Sequence, residues 1–468
     1  MTEPDLLALA HDRPVHFMGL GGAGMAPLAE LVRLRGGRVS GCDSHESAIL
    51  RGFAEVGVAT QVGHDPEHVV GCSALVATAA VPADHPEIAA ARAAGIPVLK
   101  RSAALGALVN QGYVVGIAGT HGKTTTTTLA TTLLEAAGLN PTGLVGGRVP
   151  AWGGNLRFGG DALYVVEADE FDRSFLELAP SVAVVTTLEA DHLDVFGSLE
   201  HVENAFLAFV ERVPNDGLVV ACGDDSGAGR LIARIGPPRR SVLTYGLSAG
   251  AMLRAEKLET RGRETRFAVR EHGKLLGTAE LKVPGLHNVR NALAAVGVAR
   301  HLGAAWAAIE AGLASFAGVD RRFERVGEAG DVLVIDDYAH HPTEIDATLQ
   351  AARSAYPERR IVAVFQPHLY SRTRDFAPAF GRALAAADLL FVTDVYPARE
   401  RPIEGVTGAL IAEPARATGA DVRYLAERNT VADEVAAALR PGDVCITLGA
   451  GDLNEAAREI LHRIEAHG

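Results

Sequence analysis

Tyr113-Val114-Val115-Gly116-Ile117-Ala118-Gly119-Thr120-His121-Gly122-Lys123-Thr124-Thr125 is the stretch on which the fold turns. Its first six residues form an apolar run that reads as a buried strand, Tyr113 to Ala118. A glycine-rich turn follows, then a segment with helical patterning that opens on Lys-Thr. A strand feeding directly into a helix is one βα unit of a parallel sheet. Backbone N–H groups in such a turn, together with a helix N-terminus, make a cradle for phosphate. Lys123 can then reach the β- and γ-phosphates of a nucleotide, and the Thr124 hydroxyl can ligate Mg²⁺. A strict P-loop has glycine five positions before Gly122, where Ile117 stands, so this is a variant bracketed by Gly116 and Gly119. A plain strand-to-helix turn is the bland alternative. The order strand, turn, Lys-Thr, helix speaks against it.

Magnesium needs hard oxygen ligands, which in a parallel sheet project from the carboxyl ends of neighbouring strands. Two acidic clusters sit at such ends. Glu167 follows the run Ala162–Val166 and opens Glu167-Ala168-Asp169-Glu170; His192 lies in Glu189-Ala190-Asp191-His192-Leu193-Asp194, after Val182–Thr186. Histidine is a less usual ligand for magnesium than carboxylate. Either cluster alone reads equally well as a solvated loop, but two of them after consecutive strands favour a metal.

Upstream, Val15–Met18 reads as a strand ahead of Gly19-Leu20-Gly21-Gly22-Ala23-Gly24, a GxGxxG turn before a helix that stops at Gly36-Gly37. Asp43 ends the next strand, at the distance expected for a ribose contact. This turn suits a dinucleotide or the diphosphate of a UDP-sugar, so a dehydrogenase is the rival class. Downstream, Leu218–Ala221 is a further strand, Ser241–Val283 alternates polar and apolar residues and predicts a small antiparallel patch, and Asn288–Leu302 predicts a helix.

A third block begins near Gly318–Asp320, with strands expected at Val332–Ile335, Ile361–Phe365, Leu389–Val392 and Val444–Leu448. Asp336-Asp337-Tyr338-Ala339-His340-His341-Pro342 follows the first of these, and Gln366-Pro367-His368-Leu369-Tyr370-Ser371-Arg372-Thr373-Arg374 the second. Aromatic, imidazole and guanidinium groups gathered at strand ends suit a small zwitterion, with arginine clamping its carboxylate. Arg321-Arg322 can stabilise charge on a transferring phosphoryl group, or lie solvated on the surface. The fold class is therefore α/β in three blocks, residues 1–110, 111–318 and 319–468, with parallel sheets and, in the middle block, the small antiparallel patch.

Bulk properties narrow the functions. The chain has 468 residues, too many for one ordinary core. Its formal charge is −13, with 44 Lys plus Arg against 57 Asp plus Glu, which disfavours nucleic acid or an anionic membrane as partner. No run approaches the roughly 20 apolar residues of a membrane span, and Met1–Asp12 has no signal-peptide layout, so a cytoplasmic protein is expected. The four cysteines, Cys42, Cys72, Cys222 and Cys445, lie far apart without CxxC spacing. They suggest neither a zinc site nor a disulfide framework, only buried reduced thiols.

With those motifs quoted, the chain resembles the Mur ligases from end to end. The Gly119–Thr125 loop, the Glu167–Glu170 and Ala190–Asp194 segments, Pro284-Gly285-Leu286-His287-Asn288-Val289-Arg290-Asn291-Ala292, the run from Asp336 to Glu344, and Phe365-Gln366-Pro367-His368 carry the likeness. The resemblance implies three domains, Rossmann-like over 1–110 and 319–468 and a P-loop-type ATPase over 111–318, and an ATP- and Mg²⁺-dependent ligase acting in peptidoglycan precursor synthesis. It would join L-alanine to the carboxylate of UDP-N-acetylmuramate through an acyl phosphate, as a monomer or weak homodimer. It further implies Thr124, Glu167 and His192 as metal ligands, and His287, Asn288, Asn291 and Asp336 on the nucleotide. Gly19, Gly21, Gly22, Gly24, Asp43 and Asn155 would serve the sugar nucleotide. Tyr338, Arg372 and Arg374 would face the amino acid, with Lys123, His192, Arg322 and His340 in catalysis. Leu369 stands where many relatives carry arginine, which leaves Arg372 and Arg374 to bind the carboxylate, and Phe171 replaces a small or hydroxylic residue. A recycling ligase that adds a peptide to the same sugar nucleotide is the near rival. A dehydrogenase leaves Lys123 unexplained, and a P-loop kinase leaves the third block without a task.

Overall fold

The computed structural model of the chain describes residues 5–78, 81–191, 193–235 and 241–467. The backbone groups into two compact units: Met1–Ala255 with Val269–Gly277 and Arg290–Ser315, and Glu256–Ala268 with Thr278–Val289 and Phe316–Gly468. Among the described residues there are three sheets.

The first sheet has β1 (Val15–Met18), β2 (Val39–Asp43), β3 (Ala59–Val62), β4 (Ala74–Ala77) and β5 (Val98–Lys100), all parallel, in the order β3-β2-β1-β4-β5. β1 and β4 are wholly buried, as two-sided parallel strands are, β4 apolar throughout and β1 apolar but for His16. The order reverses beside β1, so the Gly19–Gly24 turn opens at a switch point, where doubly wound sheets bind their ligands.

The second sheet contains β6 (Tyr113–Ala118), β7 (Thr142–Val149), β8 (Gly154–Arg157), β9 (Leu163–Glu167), β10 (Val182–Val185), β11 (Leu218–Cys222), β12 (Ser241–Gly246), β13 (Leu253–Arg261), β14 (Glu264–Glu271) and β15 (Lys274–Leu281). Its order is β15-β14-β13-β12-β11-β10-β6-β9-β7-β8. β6 lies between β9 and β10 and pairs parallel with both, so the Gly119–Thr125 turn also leaves a switch point. The helix it opens, Lys123–Ala136, carries buried Thr124 to Thr128, poor helix formers. They are accommodated because hydroxyls back-bond to carbonyls one turn earlier: Thr127 to Lys123 at 2.9 Å, Thr128 to Thr124 at 2.9 Å and Thr131 to Thr127 at 2.8 Å.

The alternating segment needs one correction. β12 is not part of an antiparallel patch; it pairs parallel with β11, Leu218 opposite Ser241, and β13 meets β12 parallel through Tyr245 and Leu253. The antiparallel character resides in the meander β13-β14-β15, whose strands are joined by two-residue turns at Gly262-Arg263 and His272-Gly273. Period-two alternation reports one wet face and does not distinguish pairing direction.

The third sheet contains β16 (Glu324–Ala329), β17 (Val332–Asp337), β18 (Ile361–Phe365), β19 (Leu389–Thr393), β20 (Val422–Leu425) and β21 (Val444–Leu448), in the order β16-β17-β21-β18-β19-β20. Apolar clusters cover both faces: Ile345, Leu349, Phe380 and Ile411 pack on one, Val431, Val435, Leu453 and Ile460 on the other. β16 runs antiparallel to β17, the others parallel. All four cysteines are free and buried. No helix among the described residues is long and apolar enough to cross a membrane.

Candidate active site

The central turn is held by contacts that leave no room for side chains. Gly119 has φ +143°, and a Cβ there would strike the Thr186 hydroxyl. Gly122 caps the helix in the left-handed region, φ +82°, with Asn291 Oδ1 2.5 Å from where a Cβ would sit. The turn is stitched to the end of β10. Thr120 N–H donates to the Thr187 carbonyl (2.9 Å), His121 N–H to Thr187 Oγ1 (2.9 Å), and Glu189 N–H to Thr120 Oγ1 (2.9 Å). Of the predicted nucleotide residues, Gly119 to Thr125 and Asn291 thus come together in one unit, around the first N–H groups of a helix, which have no partners within it.

Lys123 folds back over this turn. Its Nζ donates to the Gly119 carbonyl at 2.7 Å and to Glu170 at 2.8 and 3.0 Å. Burial opposes the charge on Lys123, but the carboxylates of Glu170, Asp169 and Glu167 outweigh it and raise its pKa, so the lysine stays protonated. Burial also pushes the Glu170 carboxyl up, to about 7, against the pull of Lys123. Glu170 was quoted in the sequence only as part of an acidic run. Its full burial opposite Lys123 is what singles it out, and no spacing rule carries that signal.

Beside the lysine, Thr124 Oγ1 donates to Glu167 Oε1 at 3.0 Å, and Glu167 Oε2 accepts the Gly146 N–H at 2.7 Å. A hydroxyl and a carboxylate side by side are the hard oxygen donors that Mg²⁺ takes, so Thr124 and Glu167 fit the ion. His192 lies outside the described residues.

The N-terminal turn belongs to the same unit. Gly19 has φ +83°, and Gly21 N–H donates to Asp43 Oδ2 at 2.9 Å. A Cβ on Gly24 would lie 2.9 Å from the Arg101 guanidinium, which stands 3.7 Å from Asp169. Asn155 Nδ2 donates to the Gly146 carbonyl at 3.2 Å and to the Ala23 carbonyl at 3.4 Å. Asn155 therefore joins the N-terminal turn to the strand that fixes Glu167. Arg101 is a functional candidate that sequence reading missed, because it opens an otherwise ordinary helix, Arg101–Val109.

The second unit gathers its own cluster. Arg321 and Arg322 lie over the Tyr338 ring at 4.9 and 5.1 Å. His340 stands edge-on to Tyr338, its Nδ1 2.9 Å from the Tyr338 carbonyl, and near His368, which stacks on Tyr396. The same Nδ1 lies 3.3 Å from Glu344, so carbonyl and carboxylate together orient the ring. Arg322 sits 3.8 Å from Glu344. Leu369, φ +70°, precedes the helix Tyr370–Leu384, in whose first turn Arg372 is buried. Arg374 is exposed and pairs with Asp375 at 2.7 Å, on the other side of that helix from Arg372. Asp336 is turned inward, accepting from Thr447 Oγ1 at 2.6 Å and Arg321 Nε at 3.2 Å, while burial raises its pKa. Its neighbour Asp337 is buried too, accepting from the N–H groups of Phe323 and Ala339. Asn288 Nδ2 donates to the Pro284 carbonyl at 2.7 Å, at the start of the helix Leu286–His301 that also carries His287.

Comparison with known proteins covers the whole chain. Residues 14–113 match the model of the Mur ligase family, catalytic domain; residues 117–299 match the Mur ligase middle domain; residues 321–451 match the Mur ligase, glutamate ligase domain. The UDP-N-acetylmuramate–L-alanine ligase of Salinibacter ruber is 44% identical over 100% of this chain and 98% of its own length. The ligase of the same name from Sorangium cellulosum is 46% identical over 97% of each. Among solved structures, the UDP-N-acetylmuramate–alanine ligase MurC of Thermotoga maritima superposes with a TM-score of 0.82 at 28% identity, covering 97% of this chain and 100% of that one.

Proposed function

This chain belongs to the Mur ligase family, and from that premise we propose that it joins L-alanine to the lactyl carboxylate of UDP-N-acetylmuramate at the expense of ATP, in peptidoglycan precursor synthesis. The observation that carries the chemistry is the pairing, at adjacent strand ends, of a cation-bearing phosphate loop with the Thr124–Glu167 donor pair.

A carboxylate is a poor acceptor for an amine. In the proposed sequence, a carboxylate oxygen attacks the γ-phosphorus and ADP leaves; the amine nitrogen then attacks the acyl carbon, phosphate leaves, and the amine proton passes to a base. Lys123 neutralises charge on the phosphoryl group in flight, and Arg322 is the second cation assigned there. Thr124 and Glu167, with His192, are assigned to Mg²⁺, which when bound neutralises phosphate oxygens. His287, Asn288 and Asn291 are assigned to the nucleotide, and Asp336, inward-facing, would act on it through Arg321. Gly19, Gly21, Gly22, Gly24, Asp43 and Asn155 take the sugar nucleotide. Tyr338 and Arg372 hold the alanine, Arg374 is the other arginine assigned to its carboxylate, and His340 or His192 receives the proton. We assign these tasks to three working domains, 1–110, 111–318 and 319–468, in a cytoplasmic protein acting as a monomer or weak homodimer.

The test is ADP release with each of the three substrates omitted in turn. Release should need UDP-N-acetylmuramate, an amino acid and ATP together, with L-alanine preferred over glycine by about 10–200-fold, the value of one methyl. Comparable turnover with a tripeptide in place of L-alanine would move the assignment to the recycling ligase.

A further inference from the structure

Beneath the N-terminal turn, four side chains with metal-binding atoms converge from four separate elements. They are His16 on β1, Cys42 on β2, His68 in the turn of 3-10 helix Pro66–Val69, and Glu87 in the helix Pro86–Ala93. One ligand atom of each lies within 4.8 Å of every other. His16, Cys42 and Glu87 are fully enclosed. We propose that this cluster is a structural site for one borderline-soft divalent ion, zinc before others, held by His16, Cys42, His68 and Glu87.

The residue types are those zinc takes: two imidazoles, a thiolate and a carboxylate. Zinc sits at roughly 2.3 Å from sulfur and 2.0–2.2 Å from nitrogen and oxygen, which sets tetrahedral donors roughly 3.3–3.7 Å apart. His16 Nε2 lies 3.4 Å from Cys42 Sγ, and Sγ lies 3.5 Å from Glu87 Oε1. His68 Nδ1 lies 2.8 Å from Oε1, so that pair must open by about half an ångström to admit the ion. The charges also close: a thiolate and a carboxylate balance a divalent ion, so the occupied pocket is neutral, as a buried pocket must be.

The surroundings orient the donors. Ser40 Oγ, 3.0 Å from His16 Nδ1, turns Nε2 toward Cys42, and the Asp65 N–H fixes Glu87 Oε1 at 2.9 Å. Such outer contacts typify ligated histidines and carboxylates. His64 Nδ1, 3.4 Å from Sγ and 3.3 Å from Oε2, is a fifth donor within reach of the same point. A hydrogen-bonded network around a buried glutamate would also need the imidazoles, but it gains little from a thiol, a weak donor. Cys42 is the residue that argues for a metal. Its carbonyl accepts the N–H groups of Gly19 (2.8 Å) and Leu20 (2.9 Å), so an ion on its sulfur would brace the glycine turn from below.

The full-length chain, freed of metal with a strong chelator, is titrated with Co²⁺ and followed by absorption. One equivalent should give tetrahedral visible bands and a thiolate-to-cobalt charge-transfer band in the near ultraviolet, both displaced by Zn²⁺, and zinc should raise the thermal midpoint. Cys42→Ser should remove the charge-transfer band, and His68→Asn should weaken cobalt binding at least tenfold, with circular dichroism of each variant checked first. If Cys42→Ser does not fold, His68→Asn decides. The proposal is overturned if no thiolate band forms at stoichiometric cobalt, or if folded variants take up cobalt with the spectrum and affinity of the parent.

Discussion

The chain contains two glycine turns of nearly the same construction, and they differ in where their charges come from. Each follows a buried parallel strand at a switch point and leads into a helix. The central turn carries its cation within itself, Lys123, buried against Glu170 and next to the Thr124–Glu167 pair. The N-terminal turn has no cation of its own. Its N–H at Gly21 is taken by Asp43, an anion, and Arg101 reaches Gly24 from the start of a distant helix. The glycines supply close approach in both; what is bound is decided by the charges set around them. A lysine and a metal-type carboxylate suit a triphosphate, whereas a fixed acid that can accept hydrogen bonds from hydroxyls, with one arginine to the side, suits a sugar nucleotide.

The largest effect that comparison predicts is at Lys123. Lys123→Ala should reduce turnover at least 10³-fold, the scale of a lost electrostatic contact to the transition state. It also leaves Glu170 buried without its partner, and breaking a buried pair costs about 3–5 kcal/mol. With Lys123 gone, the main pull against the burial that already holds the Glu170 carboxyl at about 7 is lost, and a weaker one from a backbone N–H remains. A carboxyl raised above its unfolded value of 4.5 contributes stability that is full below that value and is lost as pH rises through the folded pKa. The melting temperature of Lys123→Ala should therefore fall between pH 5 and about 8, and that of Lys123→Ala/Glu170→Gln should stay flat while remaining inactive. Activity in the well-folded double variant would end the phosphate-loop assignment.

How legible these turns were follows from the same difference. Lys123 and Thr124 stand at fixed offsets from their glycines, and the strands Val15–Met18, Tyr113–Ala118 and Ile361–Phe365 are mainly apolar runs, so sequence alone located them. Arg101 and Glu170 act through tertiary placement, which leaves no local pattern. The strands without a sequence signal include the edges Gly154–Arg157, Glu324–Ala329 and Val422–Leu425, where half-exposed polar wording resembles a loop. The metal-type cluster was invisible for the same reason as Arg101: its ligands are far apart in the chain and meet only when β1, β2 and the helix Pro86–Ala93 pack.

Next in size is the contrast between two acids. Glu167→Gln keeps the shape but removes a charge from the proposed Mg²⁺ site, so half-maximal magnesium should rise roughly 100-fold, at the upper end of what perturbing a metal's ligand shell costs. Asp43→Asn, at the other turn, should leave the magnesium dependence where it was. Equal shifts in both would erase the distinction drawn between the turns.

Gly21→Val tests close approach at the N-terminal turn. A Cβ there would lie 2.9 Å from Asp43 Oδ2 and 3.0 Å from Ser47 Oγ, so the branched side chain must push the acid off the turn as well as obstruct a diphosphate. Calorimetry should show UDP-N-acetylmuramate binding weakened by tens of fold with ATP binding unchanged. Tight binding of NADH by the parent, with loss in the variant, would restore the dehydrogenase reading.

The smallest effect, and the one that separates the turns most sharply, is at Arg101. If the N-terminal turn borrows its cation, Arg101→Ala should weaken the sugar nucleotide alone. The guanidinium is 28% exposed and already has Asp169 at 3.7 Å, so its hold on a phosphate belongs at the low end for a charge-assisted hydrogen bond, about 1.4 kcal/mol or tenfold. Because that contact is electrostatic and partly solvated, the tenfold difference should shrink at high ionic strength, which a purely steric role would not show. Arg101→Lys should recover part of the affinity, since a point charge reaches the phosphate without the planar fork. Removal of Arg101 also frees Asp169 toward Lys123, so a modest change in the ATP constant is admissible, but smaller than that for the sugar nucleotide. A larger change for ATP would mean that Arg101 serves the central turn through Asp169, and that the N-terminal turn binds its ligand without a cation.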